Sequence, residues 1–395
     1  MIATKMKTEF AGRRGRLFWL TLKTSLLTLL TLGFYRFWMK TRLRRWYWSA
    51  VRPGGQPLEY VGEPIEKLLG FLIAVVILAF YIGVINLLLM FASFSLLNDN
   101  LAAYAMSFIG IIPIFFFARY RARRYVLART RWRGVRFGLD QAAWAYSLRA
   151  VGHWLLTILT LGLLYPRQVF YLEKFRTDRT WYGTAQLHQG GNWKMLYPGM
   201  WNMLLPGYVS AIVIGSVWME WSEPNMLRLL FITFPWFVLG LLFFKVRSFR
   251  LLTSHKTADG VGLKAEPRSK RVLGIYLLGY GISYFLLTLL ILAFIALAVA
   301  VWMIYFRGNP DDVGMMLGQF PRWGQTAAIM VLYFTVFILW GVLQHVFVTM
   351  PLYRHYAQTL TITNPVALTG IRQRERDESR EAGGFAEALD LGAAI

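Results

Sequence analysis

Apolar positions fall into long runs, and short stretches rich in Arg, Trp and Tyr separate them. The runs are Leu17–Leu32, Leu68–Phe94, Leu101–Phe117, Val151–Leu164, Leu205–Trp221, Met226–Phe244, Val272–Phe306 and Thr326–Met350. Most approach the roughly 20 residues that cross a bilayer as a helix. Between them lie brief segments of another kind. Leu58–Val61, Arg131–Phe137, Trp181–Leu187, Gly260–Leu263 and Thr359–Thr363 are short, bounded by turn residues, and in places alternate. They predict short strands. Phe34–Trp48 interleaves aromatic and basic residues at helical spacing and predicts a helix lying in the membrane interface.

One pattern recurs. Leu26-Leu27-Thr28-Leu29-Leu30-Thr31-Leu32-Gly33 returns as Leu155-Leu156-Thr157-Ile158-Leu159-Thr160-Leu161-Gly162. A near-identity at one offset reads as an internal repeat. It divides the chain into unit 1 at 1–147, unit 2 at 148–271, an incomplete unit 3 at 272–370 that lacks the signature, and a charged, mobile tail at 371–395.

Composition supports the membrane reading. The chain has 395 residues, 56% hydrophobic and only 16% charged, against about 25% charged in a soluble domain. The net charge of +23 suits positive cytoplasmic loops better than nucleic acid, so no nucleic-acid partner is expected. Cys is absent, which excludes disulfides and thiolate chemistry. No cleavable signal peptide is evident.

Charge also selects the topology. If both signature segments cross, either orientation leaves roughly 18 to 23 Lys and Arg on the wrong side. If they are re-entrant, six spans remain and every large basic block lies on one side. The outer loops are then 95–100, 222–225 and 307–325, holding only Arg307 and Arg322. The expected fold class is therefore an all-α polytopic membrane protein. It has six transmembrane helices in three pairs, two interfacial or re-entrant signature helices, and short cytoplasmic strands forming a small platform. Both termini are expected in the cytoplasm. Gly33 and Gly162 supply the break where each signature helix turns back.

Candidate chemistry is sparse. Arg42, Arg44 and Arg45, with Arg121, Arg123 and Arg124, form juxtamembrane clusters suited to anionic lipid or a partner, at about 1 kcal/mol per basic residue near the surface. Setting topology alone would explain them too. Lys23, His153, Gln344 and His345 are ionisable or polar residues in apolar segments, hence functional candidates. Snorkelling explains Lys23 and local hydrogen bonding explains the others equally simply. No P-loop, H-E-x-x-H, G-x-S-x-G or Rossmann glycine pattern is present. No catalytic residue, metal site or cofactor is expected.

The run Leu30-Thr31-Leu32-Gly33-Phe34-Tyr35-Arg36-Phe37-Trp38, then Arg42-Leu43-Arg44-Arg45-Trp46, resembles the YjgN-like family of bacterial inner-membrane proteins, a domain of unknown function. Trp132-Arg133-Gly134-Val135-Arg136-Phe137 is similar to that family's later W-x-G block. The second copy departs, with Leu163-Leu164-Tyr165-Pro166-Arg167 in place of the Tyr/Trp/Lys run. The resemblance implies a bacterial inner-membrane location, supplies no reaction, and suggests a membrane metallopeptidase as a possible partner. Two functions stand open: transport or lipid handling at the cytoplasmic leaflet, and a scaffold that uses the basic face.

Overall fold

The computed structural model describes residues 5–80, 83–84, 86–97, 100–221, 223–306 and 321–374. The expected tail beyond 374 and most of the expected outer loop 307–325 lie outside the described residues, as do 98–99 and 222 in the other two loops.

The principal correction concerns fold class. The short strands join into one ten-stranded antiparallel sheet, in the order β2-β1-β10-β9-β8-β7-β6-β5-β4-β3. The strands are β1 (Lys5–Phe10), β2 (Val51–Pro53), β3 (Leu58–Tyr60), β4 (Thr130–Trp132), β5 (Val135–Leu139), β6 (Thr180–Tyr182), β7 (Ala185–Gln189), β8 (Lys256–Ala258), β9 (Val261–Ala265) and β10 (Leu360–Thr363). The terminal strands of this order, β2 and β3, are consecutive in the chain and meet across the turn Gly54–Pro57. The sheet thus curls into a near-closed barrel, which leaves little free edge. The chain is not all-α.

Register explains why such short strands hold. Met6, Ile362 and Leu263 stand opposite one another on β1, β10 and β9. Leu58, Trp132 and Val135 do so on β3, β4 and β5, and Phe137, Tyr182 and Ala185 on β5, β6 and β7. All but Ala185 belong to one apolar cluster, capped by Ala367 and Leu368 from the 3-10 helix Pro365–Gly370 and by Ile371 just after it. Because side chains alternate between faces, one register places a residue from nearly every strand inside. Arg133 and Gly134, and again Asp259 and Gly260, have positive φ. These are the two-residue turns whose twist matches antiparallel strands.

The helices are α1 (Arg14–Leu30), α2 (Arg36–Ala50), α3 (Pro64–Phe80), α4 (Asn86–Leu97), α5 (Asn100–Ala128), α6 (Ala143–Leu159), α7 (Tyr165–Thr177), α8 (Trp201–Trp218), α9 (Leu230–Ser254), α10 (Ser269–Phe306), α11 (Arg322–Leu343) and α12 (Met350–Gln358). A π-helical turn, Gln344–Thr349, joins the last two. Among the described residues, four helices are long and apolar enough to cross a membrane: Trp201–Trp218, Pro224–Ser254, Ser269–Ile304 and Arg322–Gln358. Six spans were expected. Within the expected span 68–94, α3 covers the residues up to Phe80 and α4 those from Asn86, while residues 81–82 and 85 lie outside the described residues. The stretch 101–117 is the first part of a 29-residue helix that continues through Arg119, Arg121, Arg123 and Arg124.

Two compact units result. One comprises residues 1–11, 48–269 and 356–395 and contains the whole sheet with α3–α9. The other comprises 12–47 and 270–355, with α1, most of α2, α10, α11 and the π-helical turn. The expected sequential units 1–147, 148–271 and 272–370 are a different division of the same chain.

Candidate functional site

The two signature stretches fold into helix–turn–helix corners of matching geometry. In the first, Leu32 has φ 50° and Gly33 φ 94°; in the second, Leu161 has φ 50° and Gly162 φ 90°. The Gly33 amide donates to the Thr28 carbonyl at 2.7 Å, and the Gly162 amide to the Thr157 carbonyl at 2.7 Å. The Leu32 and Leu161 amides donate to the carbonyls three residues back, at 3.0 and 2.9 Å. Each α1 or α6 terminus is therefore a Schellman motif, with leucine in the left-handed position usually held by glycine. Thr31 and Thr160 close both corners alike, their hydroxyls donating to Leu27 and Leu156 carbonyls at 2.7 Å.

These tips are apolar and open. Leu32 is 91% exposed and Leu161 75% exposed. Leu30 and Phe34 flank the first, and Ile158, Leu159 and Leu163 the second, all exposed. A left-handed leucine costs roughly 1–2 kcal/mol, and an exposed apolar cluster of this kind marks a contact with something apolar. The second corner is also tied to a candidate span. Tyr208, the eighth residue of α8, donates its hydroxyl to the Leu161 carbonyl at 2.7 Å. Tyr197 donates to the Leu163 carbonyl at 3.0 Å. Tyr208 lies about 10 Å along the α8 axis from its start, at 1.5 Å per residue. The two carbonyls freed by the turn are thus satisfied within the protein.

The expected site residues divide between the units. Arg42 and Arg45 are exposed on α2 and Arg44 is half-buried; the Arg42 guanidinium lies 5.7 Å from the Tyr35 ring. Lys23 is exposed on α1. In the same unit Tyr47 stacks on Tyr353 with ring centroids 4.5 Å apart. The Tyr47 hydroxyl lies 3.1 Å from His345 Nδ1, and Gln344 is the half-buried neighbour that opens the π-helical turn. Gly279 of α10 packs against this turn, where a Cβ would stand 2.5 Å from the Phe347 carbonyl oxygen. Such turns arise where a helix absorbs one extra residue, frequently at functional positions.

In the other unit, His153 stacks on Tyr171, its centroid 5.7 Å away. Burial, then the charge of Arg167, holds its imidazole below the usual range. Arg121, Arg123 and Arg124 do not form one surface patch. Arg121 lies 5.7 Å from the Phe117 ring. Arg124 Nε donates to the Leu139 carbonyl at 3.1 Å. Arg123 turns inward to Glu173, 3.9 Å away.

Glu173 is the residue that periodicity does not reveal. It also pairs with Arg176 and with Lys256, each at 2.5 Å. Burial by itself would raise this carboxyl, but Lys256, Arg176 and Arg123 together hold it well below the usual carboxylate range. The cluster fastens α5 and α7 to β8. Nearby, the guanidinium groups of Arg179 and Arg149 lie 3.7 and 4.6 Å from the Phe175 ring centroid. A second anchor joins α3 to α5: Glu66 accepts from Arg129 Nε at 2.6 Å and from the Tyr125 hydroxyl at 3.0 Å. No group of three or more potential metal ligands occurs among the described residues.

No curated protein and no solved structure matches the chain. A family profile does, over residues 5–282, a stretch that takes in both corners and nine of the ten strands. On that match the chain belongs to DUF898, the YjgN family of bacterial proteins of unknown function.

Proposed function

We propose that this is a multi-pass inner-membrane protein that handles phospholipid at one leaflet, with the two corners seated among the acyl chains. The observation that carries the reading is the bond from Tyr208, well inside a candidate span, to the turn carbonyl of Leu161. A helical corner held at that depth, with its carbonyls satisfied and its leucines outward, meets the condition for irregular backbone within a bilayer. Exposed Arg36, Arg42 and Arg45 follow the first tip along α2, where phosphate headgroups would pair with them.

Sheet topology supports the same-side arrangement that the charge count favours. Every helical excursion leaves from one strand of the sheet and returns to another. If the sheet stays on one side, each excursion crosses the membrane an even number of times. The α1–α2 and α6–α7 excursions then either cross twice or not at all, and Arg-rich α2 favours not at all. The scaffold alternative finds less support, because Arg123 and Arg124 are committed to contacts within the protein. Transport through Gln344 and His345 is likewise weakened by the Tyr47 contact that occupies His345.

The test uses the natural absence of Cys. Single cysteines at Leu32 and Leu161 carry a polarity-sensitive probe in phosphatidylglycerol-containing liposomes. Both probes should report an apolar setting and be quenched by lipids brominated on their acyl chains. Probes reporting bulk water at either tip would overturn the reading.

A further inference from the structure

A cavity of about 180 Å³ lies outside the barrel, between the β4–β5 hairpin, the start of α3 and the segment Ile371–Arg374. Four arginines line it, Arg129, Arg131, Arg136 and Arg374, against two glutamates, Glu63 and Glu66. Glu66 and Arg129 are already paired. Arg131 is different. It stands directly opposite Arg136 across β4–β5, an arrangement in which like charges repel. On its other side, Glu59 of β3 is its strand partner, yet no carboxylate among the described residues comes within 4.0 Å of it. Its Nε is buried and has no hydrogen-bond acceptor among the described residues.

The third wall is chain that has been tied in place. The Thr184 amide donates to the Arg372 carbonyl at 2.9 Å, and the Arg136 amide to Gln373 Oε1 at 2.8 Å. Gly183 leaves room for this strap, since a Cβ there would lie within van der Waals overlap of the Arg372 carbonyl oxygen. So fixed, the Arg374 guanidinium lies 4.6 Å from the Trp181 ring, with Asp140 at 3.9 Å. The strap thereby delivers an additional arginine to a cavity that already holds an unpartnered one.

We propose that this cavity binds the phosphate group of a small ligand, with Arg131, Arg136 and Arg374 as its donors. Guanidinium groups bind phosphate oxygens through paired N–H donors, and Arg131, Arg136 and Arg374 all line the cavity. An anion between Arg131 and Arg136 also removes their repulsion. The volume falls below the roughly 300–1,000 Å³ of sites that engulf drug-sized molecules, so it suits a phosphate or a lipid headgroup more than a nucleotide. The inference does not rest on the seating of the corners in the bilayer.

Two arms distinguish the sources, both using the full chain. In phosphatidylcholine nanodiscs, equilibrium dialysis measures uptake of radiolabelled inorganic phosphate. In detergent, native mass spectrometry measures retention of phosphatidylglycerol. Saturable phosphate binding that weakens at least about tenfold in Arg131→Gln assigns a soluble phosphate compound, since a charged hydrogen bond contributes about 1.5–3 kcal/mol. Phosphatidylglycerol retention lost in the same variant assigns a headgroup. Arg374→Gln, at an exposed position, decides the matter if Arg131→Gln misfolds. If neither ligand depends on either arginine, the proposal is overturned.

Discussion

The side chains that matter most for stability are those whose removal strands a charge. Glu173 pairs with three basic groups, and Glu173→Gln leaves Arg123, Arg176 and Lys256 facing one another in a partly buried setting. Breaking such a cluster at its centre costs about 3–5 kcal/mol, to be read as a lowered denaturation midpoint in detergent. The pH dependence follows in sign. The folded carboxyl lies below the usual glutamate value of 4.5, so its stabilisation is complete above that value. It is lost as pH falls from about 4.5 through the lower folded value. An acid titration should show the wild type losing stability over this range, while Glu173→Gln lacks that component; parallel curves would contradict the assignment. None of this is legible in the sequence. Arg121-Ala122-Arg123-Arg124 looks like a solvated cluster until α7 brings Glu173 to it from 50 residues away.

At the scale of elements, the clearest contrasts lie between residues that look alike in the chain. Gly274, Gly279 and Gly281 all sit on α10, and only Gly279 meets a neighbour that a methyl would strike. Gly279→Ala should cost about 1–3 kcal/mol by overpacking against the Phe347 backbone. Gly274→Ala should be neutral, because nothing lies within 4 Å of its added Cβ. Thermal unfolding of the pair checks the difference. The second corner offers another contrast. Tyr208→Phe removes the donor to the Leu161 carbonyl, and a carbonyl left without a partner in a dry site costs about 1–3 kcal/mol. If water reached that corner instead, it would replace the hydroxyl and the change would be near zero.

The strands show how far pattern reading carries. Leu58–Tyr60, Leu360–Thr363 and parts of three hairpins are visible as brief alternation bounded by turns. β1 carries the same signal in Met6, Thr8 and Phe10, but the interleaved Lys5, Lys7 and Glu9 make the stretch resemble a basic leader. β2 is three residues long and is recognisable only through its partner. What alternation cannot convey is pairing between strands far apart in the chain, from Thr8 with Pro53 to Lys5 with Thr363, and pairing is what turns scattered strands into one sheet.

For the molecule as a whole, that sheet constrains topology more tightly than charge does. Lys5, Gln56 and His188 are exposed positions on or beside β1, the β2–β3 turn and β7. Cysteines placed there should all react with a membrane-impermeant reagent from the cytoplasmic side. Two labelled from opposite sides cannot belong to one folded sheet, so that outcome would remove the topology proposed above.

The pairing of β1 with β10 has a further consequence, for synthesis. Residues 5–7 leave the ribosome well before their partners, 361–363, which follow more than 350 residues later. At roughly 5–20 residues per second, the first strand waits tens of seconds for its neighbour, held meanwhile only by β2 along residues 8–10. Once β9 has been made, β1 and β9 both present unpaired edges until β10 arrives, and such edges invite misassociation. Completion of the barrel therefore reports that the helical excursion between β9 and β10 has been made and has returned. Deleting Leu360–Thr363 should leave a chain that inserts normally and is then degraded quickly, measurable by pulse-chase; a half-life equal to that of the intact protein would show that the open edges are tolerated.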